Sequence, residues 1–243
     1  MTAHIALLLL ALTPGAPAAS PAAAYNQGNR LYAAKDYAGA VHAYEEALAA
    51  GPNAAVHFNL GNALFKTGKV GPAILHYRRA HFLAPRDADI AANLEFARAY
   101  RVDKTLTLPG PLARALERAF HALSRREAAL AAAVLFTFGS ALVSVWIVRR
   151  WTWVLIAACA CGAGALYGLF TERTWAAEIG SRPAVVVAPE VSALSGPSDD
   201  SKQILLLHDG SEVTIRDARG DYLLVQLPGG GGWVPKGAVE RVY

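Results

Sequence analysis

Hydrophobic and polar positions follow different patterns in successive parts of the 243-residue chain. Residues 128–148 and 151–171 are two apolar stretches without a charged side chain. From about residue 179 to 243, apolar residues alternate with polar ones at the period of two that is typical of β-strands. Residues 25–100 instead carry small and aromatic residues that recur at a long, fixed interval. These patterns predict a helical repeat, a pair of membrane-crossing helices and a small all-β domain.

The repeat in residues 25–100 has an interval of 33 residues. This shift superposes Gly28 on Gly61, Tyr32 on Phe65, Ala40 on Ala73, Tyr44 on Tyr77 and Pro52 on Pro85. Small residues let the two helices of a hairpin approach closely, aromatic residues fill the space beside them, and proline ends the second helix. The pair Asn59–Leu60 recurs once more as Asn93–Leu94, without a second helix of the same pattern. The sequence therefore predicts two full repeats and a closing half-repeat.

This pattern resembles the tetratricopeptide repeat (TPR) family, and the resemblance implies an α-solenoid whose first helices line a concave binding face. Asparagine recurs on those helices, although its amide is disfavoured inside a helix. An amide can donate to one peptide carbonyl and accept from one peptide N–H, so it can hold an extended chain. The predicted partner-binding residues are these asparagines and the aromatic residues beside them: Asn26, Asn29, Asn59, Asn62, Asn93, Tyr25, Phe58 and Phe65. The alternative is that Gly–Asn is simply common at this point of the repeat and binds nothing.

Residues 1–24 are predicted to be a secretory signal. The apolar run 5–12 is too short to span a bilayer but suits the apolar part of a signal, and the helix breaker Pro14 follows it. Cleavage is expected after residues 18–19 or nearer Ala24. The alternative is an uncleaved anchor.

Residues 101–127 are predicted to be a linker followed by an amphipathic helix. The apolar residues of this helix recur at helical spacing: Leu112, Leu116, Phe120 and Leu123. One interpretation is a helix that lies in the membrane interface just ahead of the first span. The other is a helix that caps the last open face of the solenoid.

The apolar stretches 128–148 and 151–171 each match the roughly 20 residues needed to cross a bilayer. Only Arg149 and Arg150 lie between them, and positive charge favours the cytoplasmic side. Export directed by an N-terminal signal agrees with that orientation. Both ends of the chain are therefore expected outside the cytoplasm.

Gly164 and Gly168 form a small-xxx-small pair in the second apolar stretch. Such a pair lets another helix approach closely. It predicts either close packing on the first stretch, through Ser140 and Ser144, or a homodimer held by Gly164 and Gly168.

Residues 179–243 are predicted to form five or six short strands of a small barrel. Turn signals such as Asp209–Gly210 separate the strands. The order of these features, ending in Gly232–Trp233–Val234–Pro235, resembles bacterial SH3-type domains. The resemblance implies a ligand groove that includes Tyr222 and Trp233.

Composition excludes several classes of function. Hydrophobic residues make up 54% of the chain and charged residues 17%, so part of it is expected in lipid. A net charge of +4 without a long basic block argues against nucleic acid as a partner. The seven histidines are scattered without the spacing of a zinc site, and neither a phosphate loop nor a paired nucleophile is recognisable. The sequence predicts no catalytic residue, no metal and no cofactor.

The order of these modules describes a multi-domain membrane protein: an α-solenoid, a two-helix transmembrane hairpin and a small all-β SH3-like barrel. This order resembles the BatE family, the E component of the Bat aerotolerance operon. The resemblance implies a bacterial inner-membrane protein that works beside von Willebrand factor A-type partners in the envelope. We expect a membrane-anchored adaptor with both binding modules on the periplasmic side. The alternative is an envelope protein whose SH3-like domain holds peptidoglycan peptides, and third comes a regulator of cell-wall hydrolysis with enzymatic activity.

Overall fold

A computed structural model describes residues 20–103 and 110–243 of the chain. The helices of this part are α1 Pro21–Ala33, α2 Tyr37–Leu48, α3 Ala54–Lys66, α4 Val70–Leu83, α5 Ala88–Ala99, α6 Pro111–Phe120, α7 Arg125–Arg149 and α8 Thr152–Gly180. Its strands are β1 Pro183–Val186, β2 Glu190–Leu194, β3 Gln203–His208, β4 Glu212–Arg219, β5 Tyr222–Leu227, β6 Gly230–Pro235 and β7 Val239–Arg241. Helices therefore precede an all-β region, as the sequence pattern predicts.

Helices α1 to α4 form two hairpins. In each hairpin a glycine of the first helix packs against a tyrosine of the second, as the repeat predicts. A Cβ on Gly28 would lie 2.5 Å from the Tyr44 ring, and a Cβ on Gly61 would lie 2.7 Å from the Tyr77 ring. Glycine is therefore needed where each ring crosses the first helix, because any side chain would collide with it. Helix α5 follows as the predicted half-repeat and buries Ile90 and Leu94.

The solenoid begins earlier than the predicted boundary at residue 25. Ser20 caps α1, since its hydroxyl accepts the backbone N–H of Ala23, and Ala24 is 2% exposed. Residues 21–24 are thus the first turn of a solenoid helix, and cleavage near Ala24 would remove it. The rest of the predicted signal, residues 1–19, lies outside the described residues.

Helices α7 and α8 pack closely along one another, and both are long and apolar enough to cross a membrane. Gly164 and Gly168 face α7, where added Cβ atoms would meet Leu135 at 2.7 Å and the Ala128 carbonyl at 2.8 Å. The small-residue pair is therefore used for packing within one chain. Close packing on the first stretch is confirmed.

The partners expected for that packing were wrong. Ser140 and Ser144 are exposed on α7, and each hydroxyl donates to a carbonyl one turn earlier in its own helix. Close approach instead uses residues without any hydroxyl, namely Ala128, Ala132 and Gly139.

Helix α8 continues to Gly180, well beyond the predicted end of the apolar stretch at residue 171. Its last turns hold the preceding segment in place. The indole N–H of Trp175 donates to the carbonyl of Leu123, and the His121 ring lies edge-on to the Trp175 ring at 4.4 Å. The ring of Phe120 packs on Phe170 at 4.6 Å. Helix α6 therefore lies against α8 and not on the open face of the solenoid, which favours the interfacial interpretation.

The β-strands form one antiparallel sheet in the order β3-β2-β6-β5-β4-β1-β7. Among residues 183–243, β3 and β7 remain at opposite edges and no ladder joins them. The predicted small barrel is therefore not confirmed, because this sheet does not close. The prediction of five or six strands is short of the seven in this region. Strand β7 has only three residues, and so brief a strand leaves almost no alternation in the sequence.

The sheet docks on the solenoid. Val185 of β1 and Val242 belong to the same buried cluster as the α2, α3 and α4 side chains. A Cβ on Gly71 would lie 2.4 Å from the carbonyl of Val186, so the first turn of α4 touches the backbone of the sheet. The Asp209 carboxylate accepts the backbone N–H of Gly71 at 3.0 Å and thereby caps α4. We call the solenoid and the sheet together the head.

Glu212 on β4 is the centre of the contact between the two modules. Its carboxylate accepts from the guanidinium groups of Arg78, Arg98 and Arg101 at 2.8 to 3.1 Å. Burial alone would raise the pKa of Glu212, but Arg98, then Arg78 and Arg101, holds that pKa below its ordinary value. Arg78 also donates to Glu178 of α8 at 2.9 Å. This arginine cluster therefore joins the solenoid, the sheet and the outer end of α8.

Replacing Glu212 with glutamine should weaken this junction strongly. In the variant Arg78 keeps Glu178 and Arg98 keeps Glu95, but the shared buried carboxylate is lost. Removing one partner of a buried ion pair typically costs about 3–5 kcal/mol. The free energy of unfolding of the detergent-solubilised full chain, from urea denaturation, measures the effect.

Glu240→Gln is the matched control, because Glu240 pairs with Arg79 at the surface and is 53% exposed at its side chain. A surface pair contributes at most about 1 kcal/mol. Equal losses in the two variants would contradict the central role of Glu212.

Candidate functional site

A small cleft lies on the solenoid where α1 meets α3, and we call it the amide cleft. It has a volume of about 100 Å³ and is lined by Asn29, Tyr32, Tyr44, Asn59 and Asn62. Three of the predicted binding asparagines therefore come together. The 33-residue repeat explains this, because equivalent positions of stacked repeats lie side by side.

Internal hydrogen bonds fix the orientation of each amide in the cleft. Tyr44 donates its hydroxyl proton to Oδ1 of Asn29 at 2.8 Å, and Tyr77 donates to Oδ1 of Asn62 at 2.7 Å. The Nδ2 group of Asn59 donates to Oδ1 of Asn29 and to the Tyr25 hydroxyl, both at 3.1 Å. These bonds explain why asparagine is tolerated inside each helix. One group of each amide is hydrogen-bonded within the solenoid, and the other group remains free.

Three amide groups of the cleft remain available to hydrogen-bond a ligand. Among the described contacts, Nδ2 of Asn29 and of Asn62 and Oδ1 of Asn59 have no partner. The cleft thus offers two donors and one acceptor, which match the carbonyl and N–H groups of an extended peptide. Groups of this kind would bind backbone atoms of a peptide without selecting its side chains.

The tyrosines keep their protons under ordinary conditions. Burial, followed by the nearby Tyr25 and Tyr32, raises the pKa of Tyr44 to about 12. Burial first, and then Tyr32, also raises the pKa of Tyr77. Both hydroxyls therefore remain donors, and the asparagine amides stay in one orientation.

The other predicted binding residues lie outside the cleft. Asn26 is exposed on α1 and Asn93 is half-buried on α5. The Phe58 ring packs near Tyr77, with centroids 6.1 Å apart. Phe65 lies within 5.5 Å of two exposed rings at the end of the solenoid, those of Phe96 and Tyr100.

Tyr32 and Tyr44 line the cleft but are not among the binding residues predicted from the sequence. Both occupy the aromatic positions of the repeat, which indicate packing. The polar end of the tyrosine side chain is the available signal, because a phenylalanine would fill the same space without binding an amide.

The predicted groove of the β region is closed over its tryptophan. Trp233 is 8% exposed, and the Arg219 guanidinium lies 5.4 Å from its ring centroid. The hydroxyl of Tyr222 donates to the carboxylate of Asp199. Trp233 pairs with Leu224, two residues from Tyr222, so Tyr222 and Trp233 share one face of the sheet.

A second, larger cavity lies where the solenoid meets the sheet, and we call it the junction cavity. Its volume is about 450 Å³. Most of its lining is apolar, from Leu48, Pro52, Phe82, Leu83, Val242 and Tyr243, with His57 and Arg79 as polar members. No sequence pattern predicts this cavity, because its walls come from distant parts of the chain.

His57 and His76 face each other between α3 and α4, with their Nδ1 atoms 3.0 Å apart. Burial, and then the charge of Arg79, lowers the pKa of His57 to about 4. Burial, then His57 and Arg79, lowers the pKa of His76 to about 3. Both rings are therefore neutral at pH 7. In the described part of the chain, no group of three or more His, Cys, Asp or Glu side chains is placed to hold a metal.

Comparison with known proteins identifies the solenoid. The family model of the tetratricopeptide repeat matches residues 25–88, which comprise most of α1 and all of α2 to α4. This family suggests a role in protein interaction and is typically non-catalytic. No curated protein matches the chain.

The histidine pair should make the head sensitive to mild acid. A histidine with a lowered folded-state pKa contributes stability that is fully present above its unfolded pKa of 6.5 and is lost as pH falls towards the folded value. Between pH 7 and pH 5 we expect a loss of about 1–2 kcal/mol for each ring. Urea unfolding of the full chain across this range measures it.

The double variant His57→Phe and His76→Phe should flatten this pH dependence, because neither side chain can then take up a proton. His42→Asn is the control, since His42 is exposed on α2. An unchanged slope in the double variant would assign the acid sensitivity to other groups.

Proposed function

We propose that the protein is a non-enzymatic, membrane-anchored adaptor that binds extended segments of partner proteins in the amide cleft. The TPR family match and the two long apolar helices agree with interaction and anchoring. The observation that carries the proposal is the bridge made by Arg78, which contacts Glu178 at the end of α8 and Glu212 of the sheet. It joins the binding module to its anchor.

The docked head supports one compartment for both modules. The solenoid precedes the α7–α8 hairpin in the chain and the sheet follows it, yet the two touch through Gly71 and Glu212. Modules on opposite sides of a bilayer could not make these contacts. Arg149 and Arg150, at the far end of the hairpin, then belong on the cytoplasmic side.

The docking also leaves the amide cleft accessible. The sheet and the two residues after β7 contact α4, the end of α5 and the corner between α2 and α3. The amide cleft is lined by other residues: Asn29, Tyr32, Tyr44, Asn59 and Asn62. A partner segment can therefore bind while the head remains assembled. Its affinity would come from main-chain hydrogen bonds, and local concentration at the membrane would add to it.

The resemblance to the BatE family gives this adaptor a setting. It implies the bacterial inner membrane, with the head in the periplasm and von Willebrand factor A-type membrane proteins as partners in envelope stress or aerotolerance. We propose the same setting here, since signal, repeat, hairpin and β region occur in the same order.

Reporter fusions test the topology. Alkaline phosphatase fused after residue 100 or at the C-terminus should be active, because the enzyme needs the oxidising periplasm. A fusion after Arg150 should be inactive. An inactive fusion at either of the first two positions would refute the shared compartment.

The double variant Asn29→Asp and Asn62→Asp tests the cleft. Aspartate keeps an oxygen to accept the Tyr44 and Tyr77 hydroxyls but replaces the Nδ2 donors with oxygen. We expect at least a fivefold loss of partners recovered by crosslinking in native membranes, quantified by mass spectrometry, with the chain still inserted.

Asn53→Asp is the matched control. Asn53 caps α3 through Oδ1, which accepts the N–H groups of Ala55 and Val56, and aspartate can cap in the same way. The substitution places one negative charge outside the cleft, where the double variant places two inside it. Equal recovery of partners from all three proteins would refute binding in the amide cleft.

A further inference from the structure

The junction cavity exists only because the solenoid and the sheet dock. One wall comes from the corner between α2 and α3, with Leu48 and Pro52, and another from the end of α4, with Phe82 and Leu83. Val242 and Tyr243, just after β7, complete it. Ligand cavities are typically about 300–1,000 Å³ and mostly apolar, and this cavity of about 450 Å³ has both properties.

The polar groups in the cavity are already neutral or paired. His57 is uncharged at pH 7, because burial and Arg79 lower its pKa to about 4. Arg79 donates to the Glu240 carboxylate at 2.9 Å and to the carbonyls of Arg241 and Val242. A charged guest would gain little here and would lose its hydration, so the lining favours an apolar chain.

The cavity lies at the end of the solenoid that faces the hairpin. Arg86, in the corner between α4 and α5, pairs with Glu127 in the first turn of α7 at 2.6 Å. The Phe82 ring, a wall of the cavity, lies edge-on to Trp175 of α8 with centroids 5.1 Å apart. Tyr243 packs on the other side of Phe82 at 4.4 Å.

The level of Trp175 gives the height of the cavity above the hydrocarbon core. Trp175 is four residues beyond Thr171, the end of the predicted span, which corresponds to about 6 Å of helix. The headgroup layer on each side of a bilayer is about 5–7 Å thick. The cavity is therefore level with the lipid headgroups, and Leu83, 37% exposed, lies where its lining reaches the surface.

We propose that the junction cavity binds an acyl chain of a membrane phospholipid, so that a lipid becomes part of the contact between solenoid, sheet and hairpin. This inference rests on the membrane anchoring proposed above. A lipid bound there would couple the docking of the head to the membrane surface. It would also hold the end of the solenoid against the bilayer.

A photoactivatable phospholipid tests the site. The full chain is reconstituted in nanodiscs that contain a phospholipid with a diazirine at the end of one acyl chain, and labelled peptides are identified by mass spectrometry. We expect label on residues 48–57, 79–83 and 242–243 as well as on α7 and α8. Label on the two helices alone would overturn the lipid site and leave the anchoring intact, whereas no label on them would refute the anchoring.

Leu83→Glu should reduce label on the cavity residues at least fivefold, since a carboxylate at the opening opposes an acyl chain. Leu83→Trp, which fills the opening without adding charge, should do the same. Leu205→Glu is the matched control, because Leu205 is 39% exposed on the edge strand β3, outside the cavity lining. Cavity labelling that persists in both Leu83 variants would overturn the proposal, provided that α7 and α8 remain labelled.

Discussion

The assembly of the head depends on one largely buried carboxylate. Glu212 carries a single negative charge, yet it satisfies guanidinium groups from α4, from α5 and from the segment just after α5. Three arginines would repel one another without it, and a protonated carboxyl could not balance them. The apolar contacts of β1 with α4 also stabilise this interface, but apolar contacts are not directional and do not fix the orientation of the sheet. Glu212 therefore fixes where the sheet sits, and with it the geometry of everything above the hairpin.

The repeat uses its two faces for different purposes. The outer side of α4 is committed to the sheet, through Gly71 and Arg78, and the first helices keep polar groups that a guest can reach. The same tyrosines that fill the space beside Gly28 and Gly61 also orient the amides of the cleft. Packing of the solenoid and preparation of its binding groups are therefore one set of contacts.

Local patterns were readable from the sequence, and distant contacts were not. Glycine opposite tyrosine at a 33-residue interval predicts the hairpins, because both partners lie in one repeat. The Glu212 cluster joins residues that are 111 to 134 positions apart and follow no period. The junction cavity was not predicted for the same reason, since its lining residues are far apart in the sequence. Strand alternation predicted the antiparallel sheet, but it does not indicate whether the last strand returns to the first.

The cap that Asp209 places on α4 has a consequence for the order of assembly. Asp209 is made 138 residues after Gly71, so the first turn of α4 has no side-chain cap of its own while the chain is being synthesised. The second repeat completes its hydrogen bonds only when the last domain has arrived. A ribosome that stops early would leave a solenoid with one frayed helix, and cellular proteases would be able to recognise the unfinished molecule.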